Sequence, residues 1–489
     1  MKKTLLPWRA LRFTSLSCGL ALTLNAAERF ESFNSDPGWH GHNNRSTAIE
    51  PRTVRQDFGY SRTTHTGGEP GEMGGTITAA AEPAWYAKKI PTRTFNDRLE
   101  ASGKLVCAQG GFHVLVGFFN AGNAKEWRTP NSIAIRLNGR GDHFYAYVEY
   151  MTGRWRAGGD TPGGFTLLRD ETSGRTRLKG FPSGNVVHDW TLRYDPQGNN
   201  GAGSIAVTID NETSICHLAP AHRQDGATFN RFGLMTVMKS ADDRSEVWLD
   251  EVTVNGEKEN FDRDPGWEEF QNRRTYTTPI VRPRFDFGYS ATQNAGGQKA
   301  GEMGGMVFRG DGRYPHMMAF YGAPLEELTL DRPLKAAGKV SLRRAVTDAD
   351  VLFGFFHAEH SLKSGGTDSI STPPDFLGVM IGGPSREGFM FVPGYRLHNT
   401  EKRIHDRGPY LYPNGASHDF TFEFIPATGD QPGVLKVTLD QESASMPIPV
   451  EHQKMGAHFN RFGLISTHTD GNSQDIYFDD LTYTWSQKE

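Results

Sequence analysis

The chain has 489 residues and a formal net charge of −4. That length bounds it at a few domains, and the lack of any basic block excludes nucleic acid as a partner class. With 56 Gly and 31 Phe but only short aliphatic runs, the composition suits strands and turns more than helices.

In chain order, Lys2, Lys3, Arg9 and Arg12 come first as a basic region. Phe13 to Leu24 is mostly apolar yet too short to span a bilayer, and Asn25-Ala26-Ala27 offers small residues for cleavage. Residues 1–27 therefore read as a signal peptide, with a lipid anchor on Cys18 as the weaker alternative. The mature protein is expected to be secreted or periplasmic, soluble or held at the cell surface, with no membrane span. Export permits a disulfide between Cys107 and Cys216. The other reading is two buried thiols behaving as small hydrophobes, since their counterparts in the repeat described next are Leu342 and Met446.

Gly71-Glu72-Met73-Gly74-Gly75 returns letter for letter at Gly301-Glu302-Met303-Gly304-Gly305. Asp36-Pro37-Gly38-Trp39 returns as Asp264-Pro265-Gly266-Trp267, and Asp57-Phe58-Gly59-Tyr60-Ser61 as Asp286-Phe287-Gly288-Tyr289-Ser290. Phe229-Asn230-Arg231-Phe232-Gly233-Leu234 returns as Phe459-Asn460-Arg461-Phe462-Gly463-Leu464. The order is kept at an offset of about 230 residues, the scale of a whole domain rather than of a solenoid unit. Two tandem domains are expected, at residues 28–256 and 257–489.

Both copies are rich in period-two patterns. Trp190, Leu192 and Tyr194 alternate with polar residues, as do Phe420, Phe422 and Phe424; Ile205, Val207 and Ile209 match Leu435, Val437 and Leu439. Such alternation marks half-buried antiparallel strands. Many spaced strands without a long amphipathic helix predict an all-β chain of two jelly-roll β-sandwiches. The aromatic β pattern, the Pro-Gly-Trp opening and the closing strand Val247-Trp248-Leu249-Asp250-Glu251-Val252, repeated as Ile476-Tyr477-Phe478-Asp479-Asp480-Leu481, resemble the concanavalin A-like lectin/glucanase superfamily, including laminin-G-like modules. The resemblance implies the fold and carbohydrate chemistry. The superfamily's Glu-x-Asp-x-x-Glu glycosidase signature is missing, so no catalytic residue is carried over.

Glu72 and Glu302, flanked by glycines, read first as part of the fold and second as an acid/base or a partner for a sugar hydroxyl. Asp250 and Asp479 on the closing strands, approached by Asn34 and Asp262 near the opening turns, are candidate ligands for a structural Ca²⁺; caps on backbone N–H groups are the other reading. The copies differ most at His143-Phe144-Tyr145-Ala146-Tyr147-Val148-Glu149-Tyr150, where alternation puts His143, Tyr145, Tyr147 and Glu149 on one face. The second copy has Gly, Met, Val and Gly there. Arg136 shares that face, and Arg154-Trp155-Arg156 follows in a glycine-rich loop.

Rings that pack on sugar C–H faces, beside charges that select hydroxyls or carboxylates, suit a saccharide site. Glu149, His143 and Tyr147 are the expected catalytic groups; Tyr145, Arg136, Arg154 and Trp155 are the expected substrate-binding groups. Glycoside hydrolysis needs a second carboxyl, for which Glu126, Asp142, Asp160 and Glu72 stand open. A polysaccharide lyase would use Arg136 with a Tyr or His base. The expected function is a glycan-cleaving enzyme of one of these kinds. A lectin-like binding protein is the alternative, and an adhesive surface protein the third reading. His357, Glu359, His360, Tyr395, Arg396 and His398 mark a weaker site in the second copy.

Overall fold

The computed structural model describes residues 27–46, 50–124, 129–157, 169–170, 177–178, 180–363, 372–382, 388–398, 400–401, 403–405, 407–469 and 471–485. Residues 1–26 of the expected leader lie outside them, as do Glu126 and Asp160. Among the described residues no helix is long and apolar enough to cross a membrane.

The chain is all-β and forms two antiparallel sandwiches of jelly-roll type. In lobe 1 a nine-stranded sheet runs through Glu212–His217, Ser204–Ile209, His188–Asp195, Leu99–Cys107, Arg244–Val254, Glu72–Thr78, Arg52–Ser61 and Arg273–Thr278, with Glu257–Glu259 on Arg244–Val254. A seven-stranded sheet faces it, in the order Phe181–Pro182, His143–Met151, Ser132–Gly141, Gly110–Phe119, Thr228–Thr236, Trp85–Thr94 and Glu268–Phe270. Alternate residues of both sheets fill one core: Leu105, Trp190, Leu192 and Ile205 from the first meet Phe112, Ile133, Phe144 and Phe232 from the second. Lobe 2 repeats the order, and its core is built around Phe353, Phe420, Phe462 and Phe478. Cys107 and Cys216 lie in the lobe 1 core as separate thiols rather than a disulfide, and burial pushes the Cys107 thiol up.

Strand pairing does not stop at residue 256. Glu28–Glu31 pairs with Ser473–Thr484, and His40–His42 pairs with Phe320–Leu328, so the first opening segment lies in lobe 2. The second opening segment lies in lobe 1: Glu268–Phe270 pairs with Trp85–Thr94, and Arg273–Thr278 with Arg52–Ser61. Phe33 and Trp39 accordingly belong to the lobe 2 core, while Phe261 and Trp267 belong to that of lobe 1. Lobe 1 is thus a continuous run of chain, whereas lobe 2 is completed by Glu28–Glu31 and His40–His42, which precede lobe 1 in sequence.

This arrangement explains the repeated Gly-Glu-Met-Gly-Gly. Gly71 has φ +143, and a Cβ there would lie 1.9 Å from the Phe261 carbonyl oxygen; at Gly301, φ +131, it would lie 1.9 Å from the Phe33 carbonyl oxygen. Each glycine lets an opening segment pass against the backbone. Both Asp-Pro-Gly-Trp stretches form the expected turns, with Asp36 and Asp264 each accepting the N–H of the glycine two residues on at 2.9 Å.

Candidate functional site

The expected row sits on the outward face of the seven-stranded sheet of lobe 1. Register places Arg136 opposite Tyr147, Asn138 opposite Tyr145 and Ala134 opposite Glu149. Arg136 Nε donates to Glu149 Oε1 at 2.5 Å, and its guanidinium lies 3.8 Å from the centre of the Tyr147 ring. Arg136 and Glu149 are buried, at 7% and 3% exposure. His143 bridges Asp142 (2.8 Å) and the Tyr145 hydroxyl (3.2 Å) nearer the sheet edge. The structure therefore brings five of the seven expected residues onto one surface, but as two clusters whose polar groups bond one another.

Towards the sheet centre the same face turns apolar, through Trp85, Ala87, Leu115, Ala134 and Met235, and Val346 of lobe 2 packs there. His113 lies beside Arg136; burial, with the positive charge of Lys239, holds its imidazole well below the ordinary range. Arg154 and Trp155 lie apart. Trp155 packs on Met151 and Ala157 and faces Tyr412 of lobe 2 at 6.4 Å between ring centres.

Glu72 and Glu302 hold loops in both lobes. Glu72 is fully buried; it accepts the backbone N–H groups of His65 (2.8 Å) and Thr66 (3.0 Å), the Thr66 hydroxyl (2.8 Å) and the His65 ring (2.6 Å). Burial pushes this carboxyl up, yet the bonds from His65, Thr63 and Thr66 outweigh it and hold it below the usual carboxylate range. Glu302 accepts the N–H groups of Asn294 (2.8 Å) and Ala295 (2.7 Å) in the same way.

Lobe 1 differs in what it attaches to that staple. His65 stands where lobe 2 has Asn294, and its ring stacks on Trp248 at 4.2 Å and 12°. Both line a groove of about 510 Å³ with Gln109, Ser183, Asn185 and Glu246. Trp248 Nε1 and Ser183 Oγ are buried without a hydrogen-bond partner. The sequence reading did not single out this groove. Its signal was present in the repeat, as His65 against Asn294 and Trp248 against Tyr477, but Ser183 and Asn185 come from a distant segment.

Asp250 and Asp479 are buried carboxyls. Burial lifts Asp250 to about 6, with Glu251, Glu72 and Asp262 adding negative charge; it lifts Asp479 to about 7, with Asp480 and Glu302 adding theirs. Asp262 does approach Asp250, while Asn34 lies by Gly301 in lobe 2, following the exchange of opening segments.

No protein-family model matches the chain, and no curated protein matches it. Among solved structures, the carbohydrate recognition domain of Emp47p is similar at 9% identity and a TM-score of 0.26, over 41% of this chain and 88% of that one.

Proposed function

We propose that this chain is an exported carbohydrate-binding protein whose saccharide site is the lobe 1 groove between His65, Trp248, Ser183, Asn185, Gln109 and Glu246. The observation that carries the reading is the His65 ring stacked on Trp248 at 4.2 Å in a groove whose wall is otherwise polar, through Gln109, Ser183, Asn185 and Glu246. The aromatic pair suits the C–H faces of a sugar, and Glu246, Asn185 and Gln109 add directional bonds to its hydroxyls along the wall. The row around Tyr145 and Tyr147 faces out from the opposite sheet of the lobe and is a separate surface, on which Arg136 and Glu149 hold Tyr147 in place.

A glycan-cleaving activity has one supporting observation. His65 carries a ring nitrogen 2.6 Å from the buried Glu72 carboxylate, an arrangement that orients an imidazole as a base. Glu149 lends less support as an acid, because its Oε1 is taken up by the hydrogen bond from the buried Arg136 Nε.

The test is retention of the mature protein on a panel of neutral, uronate and sulfated glycans, with product assays run on the same samples. Retention that is lost in Trp248→Ala and Ser183→Ala supports the reading. New reducing ends or unsaturated uronates would move the conclusion to cleavage. Retention unchanged in both variants, or none by the native chain, overturns the groove as the site.

A further inference from the structure

We propose that His360, Asp375 and His398 of lobe 2 form a binding site for one divalent transition-metal ion of the Zn²⁺ class. The site is independent of the lobe 1 groove. Three neighbouring strands of one sheet supply it. His360 lies in the short turn after Asp350–Phe356, Asp375 immediately precedes Phe376–Gly382, and His398 follows Met390–Arg396. Their donor atoms all lie within 4.8 Å of one another. His360 Nδ1 is 2.7 Å and His398 Nδ1 3.7 Å from Asp375 Oδ2. Bonds of about 2.0–2.1 Å in a tetrahedron separate donors by roughly 3.3 Å, so small side-chain rotations bring both imidazoles into place.

Two features of Asp375 point to a ligand. It is fully buried, and its Oδ1 has no hydrogen-bond partner. A buried carboxylate left in that state is costly, and a cation beside it removes the cost.

Lobe 1 provides an internal comparison. Phe356 pairs with Arg461 as Phe119 pairs with Arg231, so His360 corresponds to Asn123. Asn131, at φ +61 before Ser132–Gly141, corresponds to Asp375. Tyr395 and Tyr150 each place a hydroxyl 3.0 Å from a histidine ring, which aligns His398 with Gly153. In lobe 1, Asn131 Nδ2 donates to Asn123 Oδ1 at 2.8 Å, and Asn131 Oδ1 accepts the Thr228 N–H at 2.9 Å. Two neutral amides and a glycine therefore satisfy this corner. The fold does not require its replacement by two imidazoles and a buried carboxylate.

The donor set selects the metal. Imidazole nitrogen suits zinc, copper, nickel and iron, whereas calcium and magnesium favour oxygen shells. His360 and His398 keep 43% and 51% of their side chains exposed, which leaves a fourth position open to water or a ligand, as in catalytic zinc sites. His357 stacks on His360 at 3.8 Å, and its Nδ1 accepts the His360 N–H, fixing the turn that presents the ligand.

The test is titration of the chelator-stripped full chain with ZnCl₂ by calorimetry, with metal content measured after dialysis. One bound ion per chain is expected. His398→Gly and the set His360→Asn, Asp375→Asn, His398→Gly, which install the lobe 1 residues, should each weaken binding at least tenfold. His418→Asn, elsewhere in lobe 2, should leave it unchanged. Melting curves without metal check folding, and the exposed His398 substitution decides the matter if the triple variant does not fold. No zinc bound by the native chain, or binding retained by His398→Gly, overturns the site.

Discussion

Trp39 lies edge-on to Tyr483, with ring centres 5.9 Å apart at 87°. One residue belongs to the first Asp-Pro-Gly-Trp stretch and the other to Ser473–Thr484, so segments distant in sequence meet inside one core. Asn44 and Asn272 reinforce both exchanges, donating to the carbonyls of Phe287 (2.6 Å) and Phe58 (2.5 Å). Trp39→Ala should therefore destabilise lobe 2 by about 3–5 kcal/mol, the usual cost of emptying a buried aromatic site. Trp267→Ala should do the same to lobe 1. Hydrogen exchange resolved by lobe checks this, and protection lost from lobe 1 in Trp39→Ala would contradict the exchange.

Glu149→Gln should cost about 3–5 kcal/mol, because it removes the buried carboxylate to which the Arg136 Nε donates. Arg136→Met combined with Glu149→Leu should recover most of that loss. Denaturant melts of the two singles and the double form the cycle that measures it. A Glu149→Gln variant as stable as the native chain would show that the pair does not hold this face together.

The Glu72 carboxyl is held below its ordinary value in the folded state. Its contribution to stability is thus fully present above the ordinary glutamate range and is lost as pH falls through the lowered value. Glu72→Gln should be less stable than the native chain near neutrality by about 1–3 kcal/mol, since the buried donors of His65 and Thr66 lose a charged acceptor. The gap should close in acid. A gap independent of pH would assign the loss to packing instead.

Asp479 behaves in the opposite sense. Its folded value of about 7 lies above the unfolded one, so the protein is most stable with the proton bound and loses stability as pH rises towards and through 7. Asp479→Asn should stabilise the chain at about pH 8, by on the order of 2–4 kcal/mol, and change little in acid. Asp250→Asn should act likewise with a lower midpoint. Calcium at these carboxyls, which we propose as their counterion, would raise the native melting temperature at high pH and leave Asp479→Asn unmoved. Melting curves with calcium and with chelator separate the two cases.

Much of the architecture was legible in the residues. Alternation in Trp190-Thr191-Leu192-Arg193-Tyr194 fixed an inward face, and the paired motifs foretold two lobes with matching strand orders. The row on His143–Met151 was legible for the same reason, since a period of two assigns faces without knowledge of any partner.

Amino-acid order by itself determined which side chains point inward and where the chain turns, because those follow from local backbone geometry and hydrophobic periodicity. Only the tertiary structure decided which lobe each opening segment completes, since Trp39 and Trp267 sit in identical Asp-Pro-Gly-Trp turns and either core would accept either ring. It also decided that Arg136 faces Glu149, that His65 lies over Trp248, and that Asp375 lies between two histidines. Alternation assigns a face but not the contact made on it, as between Arg136 and Glu149, and His65 and Trp248 come from segments far apart in sequence.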